Sequence, residues 1–175
     1  MNAPIVSMVR RADSTETRES SADKVIRAIC CGKWRRQVET IRAEFRHVLR
    51  ETGDRTTAKL AVAASKKQLP AVLWSGRFSH RAGEALIQHS GLLCADLDAL
   101  GDGLPDVRAR LAASPHLWAV FVSPTGDGLK TVFRFVRLRK PLWHLPFSMC
   151  CQMQSHCGGF HGAPDVDARW ANTVR

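Results

Sequence analysis

The spacing of apolar positions changes character along this chain, and each change predicts a different element. Residues 1–20 are polar and charged without sustained period, so the first 22 residues read as a disordered leader. Ser20, Ser21 and Asp23 then offer N-caps for a helix starting near Lys24, with Val25, Ile26 and Ile29 on one face and Gly32 as its break. Trp34, Val38, Ile41, Phe45 and Val48 recur at helical spacing and predict a second helix. Its arginines (Arg35, Arg36, Arg42, Arg46, Arg50) fall largely off the apolar stripe. Residues 51–59 read as a linker.

From residue 69 the pattern alternates between short apolar runs and capped helical segments. Strands are predicted over 71–75, 92–98, 117–122 and 129–136, all in one sheet. Ser79 caps a predicted helix over about 80–89 that ends at Gly91. A further helix opens at Leu104-Pro105-Asp106, where the missing proline N–H does no harm. Residues 123–128 form a loop. After Arg137 the pattern supports one short helix, about 144–156, and a Gly-rich exit. The sequence stops at Arg175 with no closing element, which predicts a domain truncated at its C-terminus. The expected fold class is α+β, a mixed sheet with helices packed on it. One domain is expected over 23–175, with a helical part (23–58), a core (69–136) and a C-terminal part (137–175).

Composition narrows the function classes. The chain has 175 residues, 45% of them hydrophobic, enough for one domain with a real core. It contains no apolar run of membrane-spanning length and no signal-peptide order of regions, so a cytoplasmic protein is expected. A net charge of +10 suits a polyanionic partner. The excess lies in two basic flanks around a near-neutral middle. Cys30-Cys31 and Cys150-Cys151 are vicinal, and no C-x-x-C occurs, which argues against a disulfide framework. Ligand-type residues between Cys150 and His161 match no common zinc spacing and read as free thiols in a half-buried helix.

Three segments carry candidate chemistry. In a strand over 92–98, Asp96 and Asp98 share one face, and two neighbouring carboxylates call for a cation between them. Mg²⁺ or Mn²⁺, hard cations that keep positions open for phosphate, suit such a pair and a two-metal displacement at phosphorus. A strand end entering the polar turn at Leu100-Gly101-Asp102-Gly103 would give the same short motif. The loop Ser123-Pro124-Thr125-Gly126-Asp127-Gly128-Leu129-Lys130 has glycines that let amides face an anion, and a lysine suited to a triphosphate. It is not a Walker A loop, because Leu129 stands where that motif needs glycine, and a plain Gly-rich hairpin would look alike. Asp165-Val166-Asp167 repeats the acidic spacing, and a solvated loop is its plain alternative.

Together, KKQLPAVLWSGRFSHRAGEALIQHSGLLCADLDAL and SPHLWAVFVSPTGDGLKTVFRF resemble the VirE-type N-terminal domain family of bacterial mobile-element proteins. That family is regarded as a branch of the archaeo-eukaryotic primase (prim-pol) superfamily. The resemblance implies a primase-like (RRM-like) catalytic core. It further implies metal-binding catalytic roles for Asp96, Asp98 and Asp167, and nucleotide binding by Ser123, Gly126, Gly128, Lys130 and Arg175. The implied activity is template-directed nucleotidyl transfer with Mg²⁺ or Mn²⁺. The implied partners are nucleoside triphosphate, nucleic acid (a DNA template) and a helicase-like domain or protein. Two alternatives stay open: a nonenzymatic nucleic-acid-binding module using Arg35, Arg36, Arg137, Arg139 and Lys140, and an inactive remnant of such a domain.

Overall fold

The computed structural model describes residues 3–135. Its fold is α+β, built from five α-helices and three small antiparallel sheets among the described residues. The first sheet has the order β2 (Thr17–Ser21), β1 (Ile5–Val9), β3 (Ala71–Leu73). The second pairs β4 (Gly76–Phe78) with β5 (Leu86–His89). The third has the order β6 (Leu92–Leu97), β8 (Leu129–Arg134), β7 (Leu117–Val122).

The helices follow sequence signals of two kinds. In α1 (Ala22–Cys30) the Ser21 hydroxyl caps the first turn by accepting from the Lys24 N–H, and Val25 and Ile26 turn into the core. The stripe in α2 (Arg35–Thr52) buries Ile41 and Phe45. In α3 (Arg55–Ala61) the Asp54 carboxylate accepts from the Thr56 and Thr57 N–H groups, both at 2.9 Å. A hydrogen bond from the Thr57 hydroxyl to the same carboxylate, and after it those two N–H bonds, hold the Asp54 carboxyl below its usual pKa. The chain then continues through α4 (Ala63–Lys67), and α5 (Leu104–Ala112) opens with its proline in the first turn.

Two cores result. One gathers Val6, Val25, Ile26, Trp74, Leu92, Trp118, Ala119 and Val132, joining α1 to strands of the first and third sheets. Trp74 packs edge-on against Trp118 at 6.1 Å between ring centroids, a favoured aromatic geometry. The other gathers Ile41, Phe45, Ala58, Val62 and Leu69 among α2, α3 and α4.

Four expectations are corrected. Within the expected leader, residues 5–9 and 17–21 are paired strands, and Val6 and Ser7 are fully buried. The pairing is paid for by distant partners: the Ser7 hydroxyl accepts from the Phe78 N–H at 2.9 Å, and Arg77 pairs with Glu19 at 2.6 Å. Residues 51–59 are not a linker, because α2 runs to Thr52 and α3 begins at Arg55. The predicted helix over 80–89 is a short 3₁₀ turn followed by β5, because residues 86–89 find a ladder partner in β4. The single expected sheet is divided, since β3 pairs with β1 and not with β6, β7 or β8. The predicted strand 129–136 is observed as Leu129–Arg134. The helix expected near 144–156, the Cys150–His161 segment, Asp167 and Arg175 lie outside the described residues.

Candidate nucleotide and metal site

The site begins in the β6–β8 ladder. Side chains alternate across a strand, so Leu92, Cys94 and Asp96 share the face of β6 that continues the main core. Opposite them in register stand Arg134, Val132 and Lys130, and across the next ladder Ala119 faces Val132 and Phe121 faces Lys130. The face is apolar around Leu92, Val132 and Ala119, with Arg134 exposed beyond them, and charged at its Asp96–Lys130 end. At the charged end the Lys130 ammonium donates to Asp96 Oδ2 at 2.7 Å. Asp98, one residue past β6, receives Lys59 Nζ from α3 at 3.2 Å. Ala99 follows at φ 66°, a left-handed turn that costs a Cβ-bearing residue about 1 kcal/mol. It bends the chain sharply away just after Asp98.

Both ion pairs are partly solvated, with Asp96 54% and Asp98 60% exposed, so each stabilises the fold by only about 0.2–1 kcal/mol. Lys66, in α4, is a third ammonium in the same field. Burial first, and then the Lys130 charge, lower its pKa. Between Asp96 and the core lies Cys94, whose thiol is pushed up to about 12 by burial and by the Asp96 carboxylate. It stays protonated at neutral pH and is no nucleophile.

The Ser123–Gly128 turn is locked from several sides. Ser123 N–H donates to the Gly128 carbonyl at 2.8 Å, and Gly126 N–H to the Ser123 carbonyl at 2.9 Å. The Ser123 and Thr125 hydroxyls share a buried hydrogen bond of 3.0 Å. From α2, Arg42 also donates to the Ser123 carbonyl at 3.1 Å, and from α3, Arg55 forms an ion pair with Asp127. Burial, followed by repulsion from Arg46, lowers the Arg42 pKa. Gly126 takes φ 82°, and a Cβ at Gly128 would collide with the Leu97 carbonyl oxygen, so both positions require glycine. The Gly126 amide therefore closes the turn instead of facing outward, and its role is to shape the loop that carries Lys130 into place.

Asp96, Asp98, Lys59, Lys66, Lys130, Ser123 and Thr125 all border one cleft of about 780 Å³. Its remaining wall is largely apolar, with Trp34, Val38, Leu69, Val72 and Phe121, and also carries the Arg35 guanidinium. Of the residues singled out from sequence, the structure brings Asp96, Asp98, Ser123, Lys130 and Arg35 to this cleft, while Gly126 and Gly128 do not line it. Lys59, Lys66, Arg42 and Arg55 were missed. A signal for the lysines existed: Ala58, Val62 and Leu69 are buried at helical spacing, and Lys59 and Lys66, seven apart, each stand beside that stripe. Among the described residues no group of three or more acidic, cysteine or histidine side chains could hold a metal. The Asp96–Asp98 pair fits a more modest role, since Mg²⁺ binds through one or two carboxylates and completes its shell with water and substrate phosphate.

Residues 64–149 match the family model described as the BT4734-like N-terminal domain. The matched stretch includes Lys66, Asp96, Asp98, Ser123 and Lys130. No curated protein and no solved structure matches the chain significantly. None of the described helices is long and apolar enough to cross a membrane.

Proposed function

We propose that the cleft binds a nucleoside triphosphate with Mg²⁺ or Mn²⁺ and transfers its nucleotide to a nucleic-acid strand, as in the prim-pol superfamily that this sequence resembles. The observation that carries the reading is the register Asp96↔Lys130, which sets a metal-type carboxylate and a phosphate-type ammonium side by side at one cleft mouth. Asp98, close by, adds the second carboxylate. Asp96 and Asp98 would hold the metal, with Asp167 as the third acidic residue implied by the resemblance. The metal, when bound, would neutralise the phosphates and favour in-line displacement. Lys130 would leave Asp96 and steady the triphosphate, the locked Ser123–Gly128 loop would fix where it sits, and the apolar wall would take the base. Attack by the strand's 3′-hydroxyl on the α-phosphorus would release pyrophosphate. A DNA template, a helicase-like partner, the Arg175 contact and a cytoplasmic, mobile-element setting belong to the same proposal.

Calorimetry with Mg²⁺ or Mn²⁺ nucleoside triphosphate tests it, followed by extension assays on a primed template. The Asp96→Ala/Asp98→Ala double variant should lose metal-dependent nucleotide binding while keeping its circular dichroism. Equal binding by wild type and double variant would end the metal reading. Nucleic-acid binding that persists without any nucleotide binding would favour a nonenzymatic module built on the exposed arginines of α2, with strong salt dependence.

A further inference from the structure

The cleft holds more positive charge than its own carboxylates balance. Lys59 is engaged by Asp98 and Lys130 by Asp96. Lys66, half-buried beside them, lies within ion-pairing distance of no carboxylate among the described residues, although it feels both aspartates and both lysines. Three ammonium groups and the Arg35 guanidinium border the cleft with two carboxylates, and its other wall is largely apolar, which leaves a net positive charge where water is partly excluded. Such a charge is costly unless an anion shares the space.

The arrangement is also held in place. Ala58, Val62 and Leu69 anchor the α3–α4 segment to α2, and Lys66 N–H donates at 2.9 Å to the carbonyl of Val62, the residue that caps α4. Lys59 from α3 and Lys66 from α4 both border the cleft. Lys130 comes from β8, and all three border the same cleft as Asp96 and Asp98.

We infer that Lys59 and Lys66 form the second half of a polyphosphate-binding site in this cleft, with Lys130 as the first half and Asp96 and Asp98 as competitors for the same ammonium groups when no metal is present. This inference deepens the nucleotide reading and specifies its anion contacts, and it concerns inorganic polyphosphate as well as the tail of a nucleotide. The two aspartates then have opposite effects in two conditions. Without metal they hold lysines back from phosphate, and with metal they carry the cation that phosphate needs.

The experiment titrates inorganic tripolyphosphate into the full chain by calorimetry in chelator, and Mg²⁺ nucleoside triphosphate in parallel. In chelator, Lys66→Gln should weaken tripolyphosphate roughly tenfold and Lys59→Gln by somewhat less. Lys24→Gln, on the exposed side of α1, should leave it unchanged. Asp98→Asn should tighten it roughly two- to fivefold, because Lys59 is released, and should weaken Mg²⁺ nucleoside triphosphate. Circular dichroism of each variant checks folding, and the gain expected for Asp98→Asn cannot come from a folding defect. No tripolyphosphate binding by wild type, an equal loss in Lys24→Gln, or no gain in Asp98→Asn would each overturn the inference. Metal–nucleotide binding indifferent to Lys59→Gln and Lys66→Gln would overturn it while sparing the nucleotide reading. Lysine-dependent tripolyphosphate binding without nucleotide binding would support it and sink the nucleotide reading.

Discussion

The face that Leu92, Cys94 and Asp96 share along β6 behaves as two different materials. At its first residue Leu92 is fully buried with Trp118, Ala119 and Val132, and stability there comes from apolar area and close packing. Two positions on, Cys94 is buried enough to keep its proton. Two further on, Asp96 and Lys130 face a cleft and contribute little to stability. One ladder holds both ends in register. Charged groups that add little to the fold can be kept where they are because the dry end fixes the strands that carry them.

That contrast predicts very unequal responses to substitution. Leu92→Ala removes a fully buried side chain from the main core and should destabilise the chain by about 2–5 kcal/mol. Asp96→Asn, four residues along on the same face, should cost no more than about 1 kcal/mol, because its ion pair is solvated. Chemical denaturation of the two variants checks this. Similar losses would mean that the charged end is structural and would weaken its assignment as a binding site.

A middle case tests how the two ends are joined. The Ser123–Gly128 turn touches the end of β6 through Gly128, where an added methyl group would meet the Leu97 carbonyl. Gly128→Ala must push the loop away from β6 and should cost about 1–3 kcal/mol. Because Asp127 accepts Leu100 N–H through its carbonyl at 3.1 Å, the same push disturbs the turn after Asp98. Nucleotide affinity should therefore fall further than in Asp96-neutral loop substitutions such as Pro124→Ala. Denaturation and calorimetry on the same samples separate the two effects, and unchanged stability would show that the loop is free to move.

How much of this was legible depended on whether the signal was local. The third sheet could be read because its runs are apolar, bounded by Gly, Pro or Ser, and paired through a short turn. Asp96, Asp98, Ser123 and Lys130 came with it, since strand parity places them. The N-terminal hairpin could not be read, because β2 (TRESS) has almost no apolar content and its partners Arg77 and Phe78 lie about sixty positions away in sequence. Residues 86–89 failed for a related reason: all four are exposed, so no burial period distinguishes strand from helix. Lys59 was hidden by the linker reading of 51–59 and Lys66 by the lack of any element assigned to 60–68, which together concealed the buried Ala58–Val62–Leu69 stripe beside them. Sequence alone could show that charged residues shared a strand, but the two helices that bring Lys59 and Lys66 to the same cleft had to be seen.

The smallest expected effect concerns the turn that fastens the dry end. Ser90 Oγ donates to the Trp74 carbonyl and accepts from Leu92 N–H at 3.0 Å, while Gly91 N–H donates to His89 Nδ1 at 2.8 Å. That last bond requires an unprotonated Nδ1, and desolvation lowers the His89 pKa below its ordinary value of 6.5. The folded chain therefore binds fewer protons here than the unfolded one. The contribution to stability is present above pH 6.5 and is lost as pH falls through the lower folded pKa. His89→Asn offers an acceptor in place of Nδ1 without titrating, so its thermal midpoint should fall less than that of wild type between pH 7.5 and 5.5, an interval of about one pH unit on each side of 6.5. The difference between the two curves isolates His89 from His47, His80 and His116. Parallel curves would show that the turn does not depend on the His89 ring, leaving the buried Leu92 cluster and the Ser90 bonds to hold that end of the sheet.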